Sequence, residues 1–196
     1  MFTGIIQGLG SINSLNDGLY KVSTNLNLKD CKEGSSISCN GVCLTAKNIT
    51  FNNEMYNFDV NIGEETLKRT NLEKYVMENK KINIEKSLCL GDEIGGHFVY
   101  GHVDNVTTLK KIVNFNNSWE FHFEKSFKDN NKFIAEKASI SVNGISLTIA
   151  NVADDFFTIS VIEHTFSQTN FQYMTKGDIV NIEFDYFARF IFNEKQ

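Results

Sequence analysis

An eleven-residue segment occurs twice in this chain, and no other feature constrains the fold as strongly. Ser35-Ser36-Ile37-Ser38-Cys39-Asn40-Gly41-Val42-Cys43-Leu44-Thr45 returns as Ala138-Ser139-Ile140-Ser141-Val142-Asn143-Gly144-Ile145-Ser146-Leu147-Thr148, identical at seven positions and 103 residues further on. Three other pairs keep the same order: Thr3–Ile6 with Tyr100–Val103, Glu65–Leu72 with His164–Phe171, and Ile82–Glu85 with Val180–Glu183, at offsets of 97, 99 and 98. A period near 100 residues is far above the solenoid range. The chain is therefore read as two tandem domains of one fold, 1–96 and 97–186, meeting at Gly95-Gly96, with a short tail at 187–196. Halves of this size are each large enough for a core of their own.

The local pattern sets the fold class. Alternating runs such as Leu19–Ser23, Tyr56–Val60, Lys81–Glu85, Trp119–Phe123, Phe157–Val161 and Ile179–Glu183 are bounded by Gly, Asn and Asp, which predicts half-buried β-strands. Asn40-Gly41 and Asn143-Gly144 are type I′ hairpin signals, so Cys43 and Ser146 start the returning strands. About six short strands per half predict an all-β chain of two small closed barrels. Thr66–Leu72 and Thr165–Phe171 are expected to form short connecting helices, and Phe187–Phe192 a short apolar helix in the tail. The chain has no proline, so its turns are made by Asn, Asp and Gly.

Composition narrows the function classes. A net charge of -5 with scattered basic residues argues against a nucleic-acid partner. No run approaches the roughly 18 apolar residues of a membrane span, and Met1-Phe2-Thr3-Gly4 is not a signal peptide, so a cytoplasmic location with no membrane partner is expected. Cys31, Cys39, Cys43 and Cys89 contain no C-x-x-C pair and are read as free thiols, all but Cys43 serving as packing residues. His97 and His102 are five residues apart but lack a completing ligand, so no metal is expected; His97 is read as structural.

The repeat is broken at two chemically active positions. Cys43 stands opposite Ser146, and Ile5 opposite His102. Two similar pockets that differ in a thiol, a hydroxyl and an imidazole suit a protein that handles two similar ligands unequally. A lone Cys43 would read as a core cysteine and a lone Ser146 as a surface hydroxyl; their alignment makes both candidate site residues.

Met1–Ile5, Asn40–Thr45, Gly95–Asp104 and Asn143–Thr148, in this order, resemble riboflavin synthase of the alpha-subunit type, from Met1 to about Asp185. The resemblance implies two tandem six-stranded Greek-key barrels and a cofactor-free dismutation. In that reaction one 6,7-dimethyl-8-ribityllumazine gives a four-carbon unit to another, yielding riboflavin and 5-amino-6-(D-ribitylamino)uracil. It also implies a homotrimer with sites between the N-terminal barrel of one subunit and the C-terminal barrel of another, and association with lumazine synthase. The alternative on the same fold is a non-catalytic lumazine- or flavin-binding protein.

Carried over by position, the resemblance implies a first pocket of Gly4, Ile5, Ile6, Cys43, Leu44, Thr45 and the segment Asn61, Ile62, Gly63, Glu64, Glu65, Thr66. The implied second pocket comprises Gly101, His102, Val103, Ser146, Leu147, Thr148 and the segment Ser160, Val161, Ile162, Glu163, His164, Thr165, with Lys137 as a further contact. Cys43, His102, Ser146 and Asp185 are the candidate catalytic residues. A thiol at Cys43 would add to the lumazine C7 or orient a water, and His102 would move the C7-methyl proton.

Overall fold

The computed structural model describes residues 1–193; the last three positions of the expected tail lie outside the described residues. The first half holds β1 (Gly8–Asn16), β2 (Leu19–Thr24), β3 (Ser36–Cys39), β4 (Val42–Thr45), β5 (Lys47–Asn52), β6 (Met55–Asn61), α1 (Glu64–Arg69), α2 (Leu72–Met77) and β7 (Ile82–Lys86). The second holds β8 (Asn105–Phe115), β9 (Ser118–Glu124), β10 (Ser139–Val142), β11 (Ile145–Val152), β12 (Phe156–Ile162), α3 (Glu163–Gln168), β13 (Ile179–Phe184) and α4 (Tyr186–Asn193). The all-β expectation holds, and α4 forms in the tail.

The second half is a closed six-stranded barrel, ordered β10-β11-β12-β9-β8-β13. The hairpin-linked strands β10, β11 and β12 return beside β9, the Greek-key connection. The first half has seven strands rather than six, in the order β4-β3-β7-β1-β2-β6-β5. Ala46 falls between β4 and β5; its N–H donates to Ser35 O and its carbonyl accepts from Gly34 N, the same pair of bonds that Ile149 makes with Ala138 and Lys137 inside β11. The next residues bulge, with Asn48 at φ 50°. The sheet's two edges are thus consecutive pieces of one chain path, and β4 with β5 matches the unbroken β11.

Each half has its own core. Ile12, Val22, Ile37, Phe58, Ile82 and Ile84 centre the first; Phe121, Phe123, Phe157, Phe171 and Ile182 centre the second. Two residues trade places: Ile6 packs against the second core, and Val103 against the first. Cys39 is fully buried and Cys31 partly so, whereas Cys89 is exposed rather than a core residue.

Between the halves lies a buried network of six asparagines, three from each copy: Asn40, Asn71 and Asn83 with Asn143, Asn170 and Asn181, none more than 2% exposed. The Asn71 N–H donates to Asn181 Oδ1 at 2.7 Å, and the Asn170 N–H to Asn83 Oδ1 at 2.8 Å. Asn71 Nδ2 donates to Asn143 Oδ1 at 3.0 Å, and Asn170 Nδ2 to Asn40 Oδ1 at 2.9 Å. Asn83 Nδ2 reaches Asn143 O and Asn181 Nδ2 reaches Asn40 O, at 3.0 and 2.8 Å. The bonds repeat in pairs, marking an internal two-fold axis.

The hairpin residues Asn40 and Asn143 take φ of 54° and 49°, as a type I′ turn requires. Their glycines meet at the axis, where a Cβ on Gly41 would lie 2.6 Å from Gly144 N.

The same network explains a departure in the helices. Where the sequence predicts single helices over 66–72 and 165–171, the chain breaks at Thr70 and Thr169, both at φ −124°. Each threonine hydroxyl donates back to the carbonyl four residues earlier, at 2.7 Å, and the next residue is the asparagine that joins the network. The first helix resumes as α2; the second becomes a 3-10 turn at Asn170–Tyr173.

Asn83→Ala would leave the Asn170 N–H and Asn143 carbonyl without these partners. A cost of about 2–4 kcal/mol is expected from buried groups left unpaired. Urea unfolding should show this for Asn83→Ala and for its counterpart Asn181→Ala, and a change within about 0.5 kcal/mol for the exposed Asn116→Ala.

Candidate active site

The site grows from two short loops that carry Gly4 and Gly101. Both glycines hold left-handed backbone, φ 76° and 77°. The Gly4 carbonyl accepts from Ser146 N at 2.8 Å, and the Gly101 carbonyl from Cys43 N at 3.0 Å. Each loop of one half therefore docks on the returning strand of the other. A Cβ on Gly4 would stand 2.5 Å from Ser146 N, and one on Gly101 would stand 2.6 Å from Cys43 Cβ. No other residue fits this approach.

This docking regroups the expected pockets. Gly101, His102 and Val103 line a cavity of about 230 Å³ with Cys43, Glu65, Thr66, Arg69 and Thr70. Gly4, Ile5 and Ile6 line a smaller one, about 80 Å³, with Ser146, His164, Thr165, Gln168 and Thr169. The position-by-position grouping put Gly4–Ile6 with Cys43 and Gly101–Val103 with Ser146; the two loops are in fact exchanged. The sequence repeat fixes which residues correspond but not on which barrel a loop docks.

The remaining candidates fall elsewhere. Leu44, Ile62 and Val161 are buried in the cores, and Leu147 packs against the second core. Thr45, Thr148, Asn61, Gly63, Glu64, Ser160, Ile162 and Glu163 are exposed and line neither cavity. Lys137 is also exposed, and holds φ 68° at the position where the first copy has Gly34.

Asp185 is partly buried at the end of β13, accepts from Phe187 N at 3.0 Å, and its charge acts on His97. A larger cavity, about 700 Å³, lies beside the Ser146 pocket with Ile5 on its wall. It contains Cys31, Lys86 and Cys89 but neither Cys43, Ser146 nor a histidine.

The two cavities differ in chemistry. Ser146 of the second has its Oγ 2.7 Å from Nδ1 of His97, which is not itself on the cavity wall. Burial lowers the His97 pKa, against a smaller raising effect from Asp185, so the ring is neutral at pH 7; in the tautomer protonated at Nε2, its Nδ1 accepts from the serine hydroxyl. Sequence reasoning took His97 as structural. It is aimed by a two-stranded bridge: Phe2 and Val99 exchange N–H···O bonds of 2.7 and 3.0 Å, and His97 N donates to Thr3 O at 3.2 Å.

In the first cavity Cys43 shares its walls with His102 and with the Arg69–Glu65 ion pair. The second copy has Gln168 and His164 in place of this ion pair. The Tyr100 ring packs between His102 and Tyr186 of α4, at 6.3 and 4.8 Å.

Two further residues were missed. Glu85 on β7 accepts from Thr3 N, Thr3 Oγ1 and Gly4 N. Glu183 on β13 accepts from Tyr100 N, Gly101 N and His102 N. Burial pushes both carboxyls up to about 7, outweighing the lowering by the donors. The available signal was the repeat: both are glutamates at matching positions, inside strands whose neighbours are buried.

Two barrels of one fold, each with a cavity walled by a loop of the other half, define a duplicated small-molecule-binding protein. Comparison with known proteins agrees. The lumazine binding domain matches residues 3–87 and 100–185. Riboflavin synthase of Bacillus subtilis is 36% identical over 198 aligned positions, covering 98% of this chain and 88% of that protein. That of Chlamydia muridarum is 38% identical over 192, covering 94% and 90%. Among solved structures, LumP complexed with riboflavin superposes with a TM-score of 0.77 at 25% identity, over 94% of this chain and 99% of that one. LumP complexed with 6,7-dimethyl-8-(1'-D-ribityl) lumazine gives 0.75 at 26%, with the same coverage. The chain belongs to the riboflavin synthase family.

Gly101→Ala should break the Gly101–Cys43 bond and expose the Cys43 amide to hydrogen exchange, leaving the Ser146 amide protected. Gly4→Ala should do the reverse. Residue-resolved exchange reads both, and loss of protection at both sites in either variant would contradict the exchanged loops.

Proposed function

We propose that this chain catalyses the dismutation of two 6,7-dimethyl-8-ribityllumazine molecules to riboflavin and 5-amino-6-(D-ribitylamino)uracil. The observation that carries the reading is the pair of related cavities, one with Cys43 and His102 and the other with His164 and Ser146, whose hydroxyl meets His97. Two identical substrates need two related pockets, and unequal chemistry needs the pockets to differ. Holding both rings converts a bimolecular step into an effectively unimolecular one. The rival reading, a binding protein without catalysis, has the same fold; the full-length relatives named riboflavin synthase favour the enzyme.

The residues divide the work. Gly4 and Gly101 let a flat ring approach the backbone, whose N–H and C=O groups read its pyrimidine edge. Neutral His97 draws the proton of Ser146 Oγ–H, which makes that oxygen a stronger partner for the ring or for an attacking hydroxide. In this reading His102 takes the proton of the C7 methyl, and Cys43 adds to C7 or orients water. Lys137 and Asp185 supply charge to the ribityl chain or ring.

The chain acts as a homotrimer in this proposal. Cavities of about 230 and 80 Å³ lie below the roughly 300–1,000 Å³ usual for a ligand site. Closure by a neighbouring subunit would complete them. On α4, Tyr186, Phe187, Phe190 and Ile191 are 41–60% exposed, an apolar face suited to that contact. The helix is anchored by the Arg189–Asp104 ion pair.

Incubation of the purified protein with the lumazine alone should yield riboflavin absorbance; tight binding without riboflavin would sink the enzyme. Because burial lowers the His97 pKa below the ordinary 6.5, the ring stays neutral through that value. The acid limb of log kcat/KM should therefore lie below pH 6.5 and disappear in His97→Ala, with turnover down by about 10²-fold.

A further inference from the structure

We propose that Glu85 and Glu183 are crossed positioning residues: each holds the wall of the pocket built on the opposite barrel. The inference builds on the reading of both cavities as ring-binding pockets.

Glu183 belongs to the second barrel, yet the loop it grips walls the Cys43 cavity of the first. Its Oε1 accepts from Tyr100 N at 2.7 Å, and its Oε2 from Gly101 N at 2.9 Å and His102 N at 3.0 Å. Three successive N–H groups turned on one carboxylate form an anion nest. The peptide chain continues the link, since Gly101 O accepts from Cys43 N. A path of short contacts thus runs from a side chain of β13 to the thiol-bearing strand β4.

Glu85 repeats the arrangement in the other direction. Its Oε1 accepts from Thr3 N at 2.8 Å and its Oε2 from Gly4 N at 3.1 Å. Gly4 O then accepts from Ser146 N on β11. The two carboxylates are 3% and 5% exposed, so water supplies no substitute for the loop amides. Burying a carboxylate is costly unless the donors are good, and the sequence keeps one at both matching positions. Glutamine has the same shape but offers one acceptor oxygen, and its amide N–H₂ would face backbone N–H groups.

The consequence inverts what sequence locality suggests. Neutralising Glu183 should loosen the Cys43 pocket and spare the Ser146 pocket of its own barrel; neutralising Glu85 should do the opposite. A purely structural role would lower stability without this selectivity.

The test is residue-resolved hydrogen exchange on full-length Glu183→Gln and Glu85→Gln, without ligand and across a riboflavin titration. Without ligand, Glu183→Gln should expose the amides of residues 100–102 and Cys43 but not Ser146, and Glu85→Gln those of residues 3–4 and Ser146 but not Cys43. With riboflavin, the concentration protecting residues 42–45 and 65–70 should rise about tenfold or more in Glu183→Gln, as loss of charge-assisted bonds implies. Protection of residues 145–148 and 164–169 should stay within about twofold, and Glu85→Gln should show the mirror pattern. Glu183→Asp, which keeps the charge, should recover part of the loss.

Equal loss at both pockets, loss at the pocket of the mutated barrel, or no change would overturn the proposal. Wild-type protein that riboflavin protects nowhere would sink the ring-binding reading instead, and the ligand-free amides would still decide the crossed positioning.

Discussion

The asparagine network on the internal two-fold axis is the constraint on which the rest depends. Six buried asparagines meet there, each paired through both side chain and backbone, and the six bonds that cross between the halves through their amides and backbones fall into three matched pairs. Buried amides are costly unless paired, so only one relative placement of the barrels satisfies them. That placement brings the hairpins of Asn40-Gly41 and Asn143-Gly144 into contact. The strands that leave those hairpins carry Cys43 and Ser146 as their second residues, three beyond Asn40 and Asn143. A small rotation of one barrel would therefore break the network and move both site residues together.

From that fixed frame the loops can cross. The Gly4 loop lies on the second barrel and the Gly101 loop on the first, pinned at one end by a carboxylate and at the other by a strand amide. Neither pocket is the property of one domain. Each barrel supplies a floor and borrows a wall, so isolated halves would keep their cores but not their sites. The asymmetry is then added by few changes: a serine backed by a half-buried neutral imidazole at one pocket, thiol with an exposed imidazole and an ion pair in the other.

Much of this was legible in the chain itself. The duplication, the I′ hairpins and the Cys43/Ser146 difference are local patterns repeated in register, and the structure bears out the duplicated all-β fold and both turns. What was hidden depends on partners distant in sequence. β1 and β8 were missed because Gly8–Asn16 and Asn105–Phe115 carry too many polar residues to alternate cleanly. The helix breaks at Thr70 and Thr169 follow from asparagines recruited by the opposite domain, which no helical pattern announces. His97 looked structural because the Ser146 hydroxyl it meets is 49 residues away. Glu85 and Glu183 read as ordinary strand residues until the loops they hold were seen. The exchange of the two loops is the clearest case: a repeat records correspondence, and docking is decided in three dimensions.

The central claim is that two like rings occupy two crossed pockets of one chain. A crystal structure of the protein soaked with 6,7-dimethyl-8-ribityllumazine tests it most directly. The account predicts one ring against Cys43, Gly101 and His102 and a second against Ser146, Gly4 and Ile5. A ring held instead between Cys43 and the Gly4 loop, or seated only in the cavity of about 700 Å³ beside Cys31 and Cys89, would contradict it.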